Sequence, residues 1–416
     1  MDESSNLPAY RMLALLALAL CICALVDGLI PQLQMSLLGG QVPINSTLTR
    51  LSVLIIPILA CCIHPRLEFA GMPMVSWSFC IALLIADIPH LVIARGMTLR
   101  DVLMSYSEYY LLLLIGPTLL IFRGTISKRL IVRSMVVLLI VSAAIGIAQY
   151  LTGQPILHTE SADGKFEIYS WNFLGDVRAF SLFTSGLGFG LFCALSGALG
   201  IALMRRSRLK GALLLLVSAV ACFSTLTRLC YLIFFCACIY ALVLTFGKKS
   251  KRGLWHPLLF FALGIGTILS GLSSSVSGDA SNLQDSGSLI LRLEEWTYYL
   301  GLISSSNLTD KLFGLGTTLT KENTVPIDNV PLGVALHIGM VGLIVFGILL
   351  IQMWLYLRRE AVVTQQPFAI AAASLWATLP CAGMFNIVLV QLGAVFAIAI
   401  LCKKPESITL SRPALE

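Results

Sequence analysis

Three arginines and an Asp–Asn pair are the residues here whose type and spacing could do chemistry. Arg178 precedes the apolar run "AFSLFTSGLGFGLF", Arg228 interrupts "FSTLTRLCYLIFFCACIYALVLTF", and Arg292 lies in the helical stretch "LRLEEWTYYLGLI". Asp328 and Asn329 stand immediately before a long apolar run that begins at Val330. Arginine suits one task above others: its planar fork donates to phosphate oxygens bidentately and does not deprotonate. The ordinary reading of a single such arginine is a side chain snorkelling from an apolar segment to lipid headgroups. Arg228 fits that reading least, because a tight turn between two helices should bury it against the bundle. Three arginines around one mouth suggest recognition of an anion there.

Acidic residues gather towards the same face. Asp27, Asp87 with His90, and Glu108 fall near the ends of apolar segments, while Glu294 and Glu295 share the stretch that holds Arg292. Carboxylates inside membrane segments line a wet cavity or pair with a cation. Structural pairing is the simpler reading for Asp27, Asp87 and Glu108. A relay through Asp27, Asp87 and His90 is what a transporter would need.

The elements that must position these residues are membrane helices. The chain has 416 residues, of which 57% are hydrophobic and 12% charged, with a mean hydropathy of +0.90. So little polar surface excludes a soluble globular domain. Nothing in the sequence points to nucleic acid, and the twelve cysteines form no CxxC and no histidine-spaced metal set, so they read as small core residues. The first apolar run, Met12–Ile30, lacks a following small-x-small cleavage site and reads as a retained helix.

A membrane helix needs about 20 apolar residues. Candidate spans are 12–30, 48–63, 73–94, 106–122, 131–151, 179–204, 211–226, 229–247, 254–272, 330–356, 367–383 and 385–402. The seventh and eighth require a break at Arg228, since one helix from 211 to 247 would be far too long. This layout sends the dense basic clusters at 123–133, 205–210, 248–252, 358–359 and 403–404 to one side. The positive-inside rule makes that side cytoplasmic, along with both termini. The chain therefore divides into helices one to nine (1–272, with an outer segment at 152–178), a large outer loop (273–329) with a Ser/Gly-rich start, helices ten to twelve (330–402) and a cytoplasmic tail (403–416). The expected fold class is an all-α polytopic membrane protein of about twelve transmembrane helices with a large periplasmic loop, GT-C-like in layout.

Within this frame "TLTR" (225–228), opening a helix, resembles the first arginine motif of the O-antigen ligase and O-antigen polymerase superfamily of bacterial membrane glycosyltransferases. "RLEEWTYYLGLISSSNLTDKLFGLG" (292–316) is similar to that family's loop motif: an arginine, a tryptophan four residues on, and a terminal "lfGxG". "VRAFSLFTSGLGFG" (177–190) resembles the segment entering the preceding membrane helix, where the family often carries another arginine. "DNVPLGVALHIGMVG" (328–342) resembles the ligase motif of a histidine, a small polar residue, nine residues and Gly-x-x-Gly, with Asp328 in the histidine's place.

The resemblance implies a donor glycan on undecaprenyl pyrophosphate, presented at the periplasmic face of the bacterial inner membrane. It also implies inverting transfer without a metal or cofactor. Arg228 and Arg292 would hold the pyrophosphate, with Arg178 as a third contributor and Asn329, Glu294, Glu295 and Trp296 at the substrate. Asp328 would orient or deprotonate the acceptor hydroxyl, with Glu294 and Glu295 as competitors for that role. Polymerases of the family commonly carry "DN" where ligases carry their histidine, which favours elongation of a lipid-linked repeat unit over transfer to lipid A-core. His337 lies too deep in its helix to substitute. A chain-length co-polymerase is an implied partner. The reading from another class is a transporter of lipid-linked sugars.

Overall fold

The structure, a computed structural model, describes residues 7–37, 81, 113, 119, 122, 125–157, 172–173, 176–247, 255–276, 280–316, 329–383 and 389–401. The described chain is helical apart from one antiparallel ladder of two residues per strand. The helices are α1 (Leu7–Leu25), α2 (Leu29–Leu37), α3 (Lys128–Thr152), α4 (Gly186–Met204), α5 (Arg208–Phe223), α6 (Arg228–Phe246) and α7 (His256–Val276). They continue with α8 (Ala280–Ser305), α9 (Leu308–Phe313), α10 (Val330–Thr364), α11 (Pro367–Ala377), α12 (Leu379–Ala382) and α13 (Leu389–Leu401). Between α3 and α4 the strands β1 (Asn172–Phe173) and β2 (Asp176–Val177) pair Asn172 with Val177 and Phe173 with Asp176.

Four of these helices, α3, α4, α6 and α10, are long and apolar enough to cross a membrane, and the α1–α2 pair makes a fifth if counted as one bent span. This is an all-α membrane protein. The expected spans at 48–63, 73–94 and 106–122 lie outside the described residues apart from isolated positions.

The centre of the bundle is α4, buried almost along its whole length. It packs most extensively on α5, α6 and α11. Small residues permit the approach, as expected where lipid offers no hydrophobic drive between helices. A Cβ on Gly190 would fall 2.2 Å from the Cys230 Sγ of α6, and one on Gly211 would fall 2.5 Å from the Gly200 carbonyl oxygen. On the outer side of α5, Leu209, Leu213, Leu216, Val220 and Phe223 share one exposed face. That face is suited to lipid.

Several boundaries differ from the sequence expectation. The first span does not run unbroken to residue 30: α1 ends at Leu25, and α2 leaves at 84° after a break at Val26–Gly28. The span expected from 179 starts only at Gly186, because residues 178–185 form a non-helical strap in which Ser181 adopts φ 54°. The Ser/Gly-rich start of the segment expected to form the outer loop is largely helical, since α7 continues to Val276 and α8 begins at Ala280. The predicted break at Arg228 is present, with α5 ending at Phe223 and α6 starting at Arg228.

Two contacts define the ends of the bundle. At one end Arg205 Nη1, at the α4–α5 turn, donates to Gln365 Oε1 beyond the C-terminus of α10 (2.7 Å). At the other end the Val330 N–H donates to the Gly383 carbonyl (2.9 Å), and Gln391 Nε2 donates to Asp27 Oδ2 (3.2 Å). Helices α4, α5, α6, α10 and α11 run between these ends. The turn before α6, the strap and the start of α10 therefore share the second end, away from Arg205, Arg206, Arg358 and Arg359.

Candidate functional site

The strap that begins at Arg178 is joined to the α5–α6 turn that leads into Arg228. Ala179, the residue after Arg178, donates its N–H to the Ser224 carbonyl (3.1 Å). The α5–α6 turn is built from hydroxyl residues: Ser224 Oγ and Thr225 Oγ1 donate back to Ala221 and Cys222 carbonyls at 2.8 and 2.7 Å. Thr227, the N-cap of α6, donates its hydroxyl to the Thr225 carbonyl (2.9 Å) and leaves the first helical N–H groups without a side-chain cap. Leu226 takes φ 47°, which turns the chain sharply and starts α6 at Arg228.

Contrary to the expectation that the turn would bury it, Arg228 is exposed at the bundle end, while Arg178 is half-buried. The reason is geometric: Arg228 is the first residue of α6, and its neighbours Ser224 and Thr225 occupy the buried side of the turn.

The strap is held from three other elements. Gln149 of α3 accepts from the Phe180 and Ser181 N–H groups (3.3 and 2.7 Å). Gln32 of α2 donates to the Ser181 and Phe183 carbonyls (3.2 and 3.1 Å). At the α1–α2 break the Asp27 carboxylate accepts from the Thr184 N–H (3.1 Å) and the Thr184 hydroxyl (2.5 Å). All three side chains are buried. The structural pairing expected of Asp27 is present, and Gln32, Gln149 and Gln391 are functional-end residues that the charge pattern of the sequence does not single out. The signal was present: amides within or beside apolar spans are expensive there unless they have partners.

The loop residues divide by helical face. Trp296 and Tyr299 of α8 pack on the start of α10 in a small cluster with Leu332 and Leu336, and Arg292, one turn before Trp296, is half-buried on the same helical face. Trp296 is half-buried in that cluster and serves as a packing group of the loop–bundle contact. Glu295, one turn before Tyr299, borders the same face, whereas Glu294 is exposed on the opposite one. Burial first, and the Glu295 charge second, raise the Tyr299 phenol above its ordinary pKa. Helix α8 packs on α7, α9 and α10, so Arg292 is carried by a different set of helices from the strap and the α5–α6 turn that hold Arg178 and Arg228.

Beyond α9 the segment Gly314–Gly316 locks onto α10. At Gly339 α10 breaks, with φ 68° and ψ −171°. Such a break releases carbonyls that must find other donors. Leu315 and Gly316 N–H groups donate to the Leu336 and His337 carbonyls (2.7 and 3.1 Å). His337 is buried at this break. Asn329 is the N-cap of α10, its Oδ1 accepting from the Leu332 N–H (2.9 Å). Asp328, Asp87, His90 and Glu108 lie outside the described residues.

Fold and site together define an all-α membrane protein with an arginine pair at one end of its helix bundle. Neither a scan against protein-family models nor a search of curated proteins returned a match to this chain.

Proposed function

We propose that the chain is a membrane glycosyltransferase that elongates a polysaccharide, moving a growing glycan from undecaprenyl pyrophosphate to the next lipid-linked repeat unit. In this reading it spans the inner membrane about twelve times, keeps both termini in the cytoplasm and works at the periplasmic face. The observation that carries the reading is the joining of the strap that begins at Arg178 to the turn that leads into Arg228, through the Ala179–Ser224 hydrogen bond, although the two arginines are 50 residues apart in sequence. Two guanidinium groups at a membrane-protein surface suit a pyrophosphate whose prenyl chain stays in lipid and whose sugar lies in water.

The step conserves atoms and charge. The acceptor hydroxyl oxygen forms a bond to the anomeric carbon, the bond from that carbon to pyrophosphate oxygen breaks with its electron pair, and configuration inverts. Asp328 takes the hydroxyl proton. Arg228, Arg178 and Arg292 stabilise the charge that grows on the departing pyrophosphate. A membrane transporter would use helix breaks as open binding sites. The break in α10 is filled by Leu315 and Gly316, and that between α1 and α2 by Thr184, which favours the enzyme. If the guanidinium fork matters, Arg228→Lys and Arg292→Lys each lose most polymer at normal membrane protein level, despite keeping the charge. Polymer on a gel at matched protein level is the readout, and full activity in both lysine variants would reject the reading.

A further inference from the structure

We infer that Asp27 is a positioning residue for the arginine pair, acting on pyrophosphate recognition through the strap that ends at Arg178. This rests on the proposed function and extends it to a residue near neither arginine in sequence. The strap has only eight residues, 178–185, and one end is fixed at the α5–α6 turn by the Ala179–Ser224 hydrogen bond. The opposite end is fixed by Asp27, which receives both the N–H and the hydroxyl of Thr184. The next residue, Ser185, caps α4 by accepting from the Gly188 N–H (3.1 Å). Asp27 thus sets where the strap stops and where α4 starts.

The contact is close as well as polar. A Cβ on Gly28 would fall 2.3 Å from the Phe183 carbonyl carbon, so the strap backbone rests directly on the α1–α2 break. Gln391 Nε2 also donates to Asp27, which ties α13 to the same carboxylate. A buried carboxylate that accepts three hydrogen bonds holds its donors far more firmly than a neutral acceptor would. If the Thr184 bond goes, the strap keeps its Gln149 and Gln32 bonds but loses its tie to the α1–α2 break, and the hold on Arg178 relative to Arg228 loosens.

The test uses the purified full chain in nanodiscs and measures equilibrium binding of undecaprenyl pyrophosphate, which needs no knowledge of the sugar. Thr184→Val keeps the Asp27 charge but removes the hydroxyl donor, and should weaken binding by roughly tenfold, the scale of one charge-assisted hydrogen bond. Thr184→Ser keeps the hydroxyl and should bind as wild type. Asp27→Asn should weaken binding at least as much as Thr184→Val. The decisive readout is the cycle with Arg178→Ala. If the strap acts through Arg178, Thr184→Val adds little once Arg178 is gone. Additive losses would mean a merely structural role and overturn the inference. Wild-type binding in Thr184→Val and Asp27→Asn, with Arg178→Ala impaired, would overturn it while leaving the proposed function standing. Wild-type binding in Arg178→Ala and Arg228→Ala would remove the proposed function itself.

Discussion

Asp328 and Asn329 stand where a sequence cannot separate two roles. An acid before an apolar run is either a helix cap or a group with chemistry to do, since both suit a helix N-terminus. The structure gives the cap to Asn329, whose Oδ1 accepts from the Leu332 N–H. Asn329→Ala should therefore cost about 1 kcal/mol of stability, read as a modest drop in unfolding temperature with elongation largely kept. Asp328→Asn preserves shape but removes the basic carboxylate. If Asp328 is the base, elongation falls by ~100- to 10,000-fold at matched protein level. Long chains made at the normal rate would move the base to Glu294 or Glu295, of which Glu295 borders the α10-facing side of α8. The arginines were legible because a charge in an apolar run needs a reason. The exposure of Arg228 was not, because it depends on which side of a four-residue turn its neighbours fill.

Among the elements, the 280–316 segment and α10 are joined by backbone as well as by the Trp296–Tyr299 cluster. Gly314, with φ 86°, would place a Cβ 2.4 Å from the His337 carbonyl oxygen, and Gly339 would place one 2.3 Å from that of Leu312. Neither partner is a flexible side chain that could move aside. Gly339→Ala should destabilise the protein by roughly 1–3 kcal/mol or more, from overpacking and left-handed strain together. Hydrogen exchange at Leu315 and Gly316 should quicken. Gly347→Ala is the control: it lies in the same helix, a Cβ there meets nothing within 4 Å, and it should be neutral or slightly stabilising. Equal effects in the two variants would contradict the lock. The "GLG" and Gly-x-x-Gly spacings were visible in the sequence, but their meeting across a broken helix is tertiary. The same holds for the strap, whose apolar residues read as the start of a helix. Gln32, Gln149 and Asp27 offer its backbone hydrogen bonds that outcompete the helical ones.

Taken as a whole, the molecule has a basic end and an arginine-pair end. The hydropathy pattern made the helical membrane class plain, while the breaks in α1–α2 and α10 depend on contacts that periodicity does not carry. Cysteines placed at Gly278, Ser306 and Asn323 should react with an impermeant thiol reagent added to intact cells, and one at Lys249 should not, once native cysteines are controlled for. Labelling at 249 from outside would overturn the twelve-span orientation. The central claim is that this bundle end transfers a glycan from a lipid pyrophosphate, and it is tested most directly with purified chain and undecaprenyl-pyrophosphate-linked repeat units alone. A ladder of lipid-linked glycans should grow by whole repeats, with one undecaprenyl pyrophosphate released per new linkage, and no ladder should form with Arg228→Lys. Repeat units that stay single, or a ladder unchanged by Arg228→Lys, would contradict it.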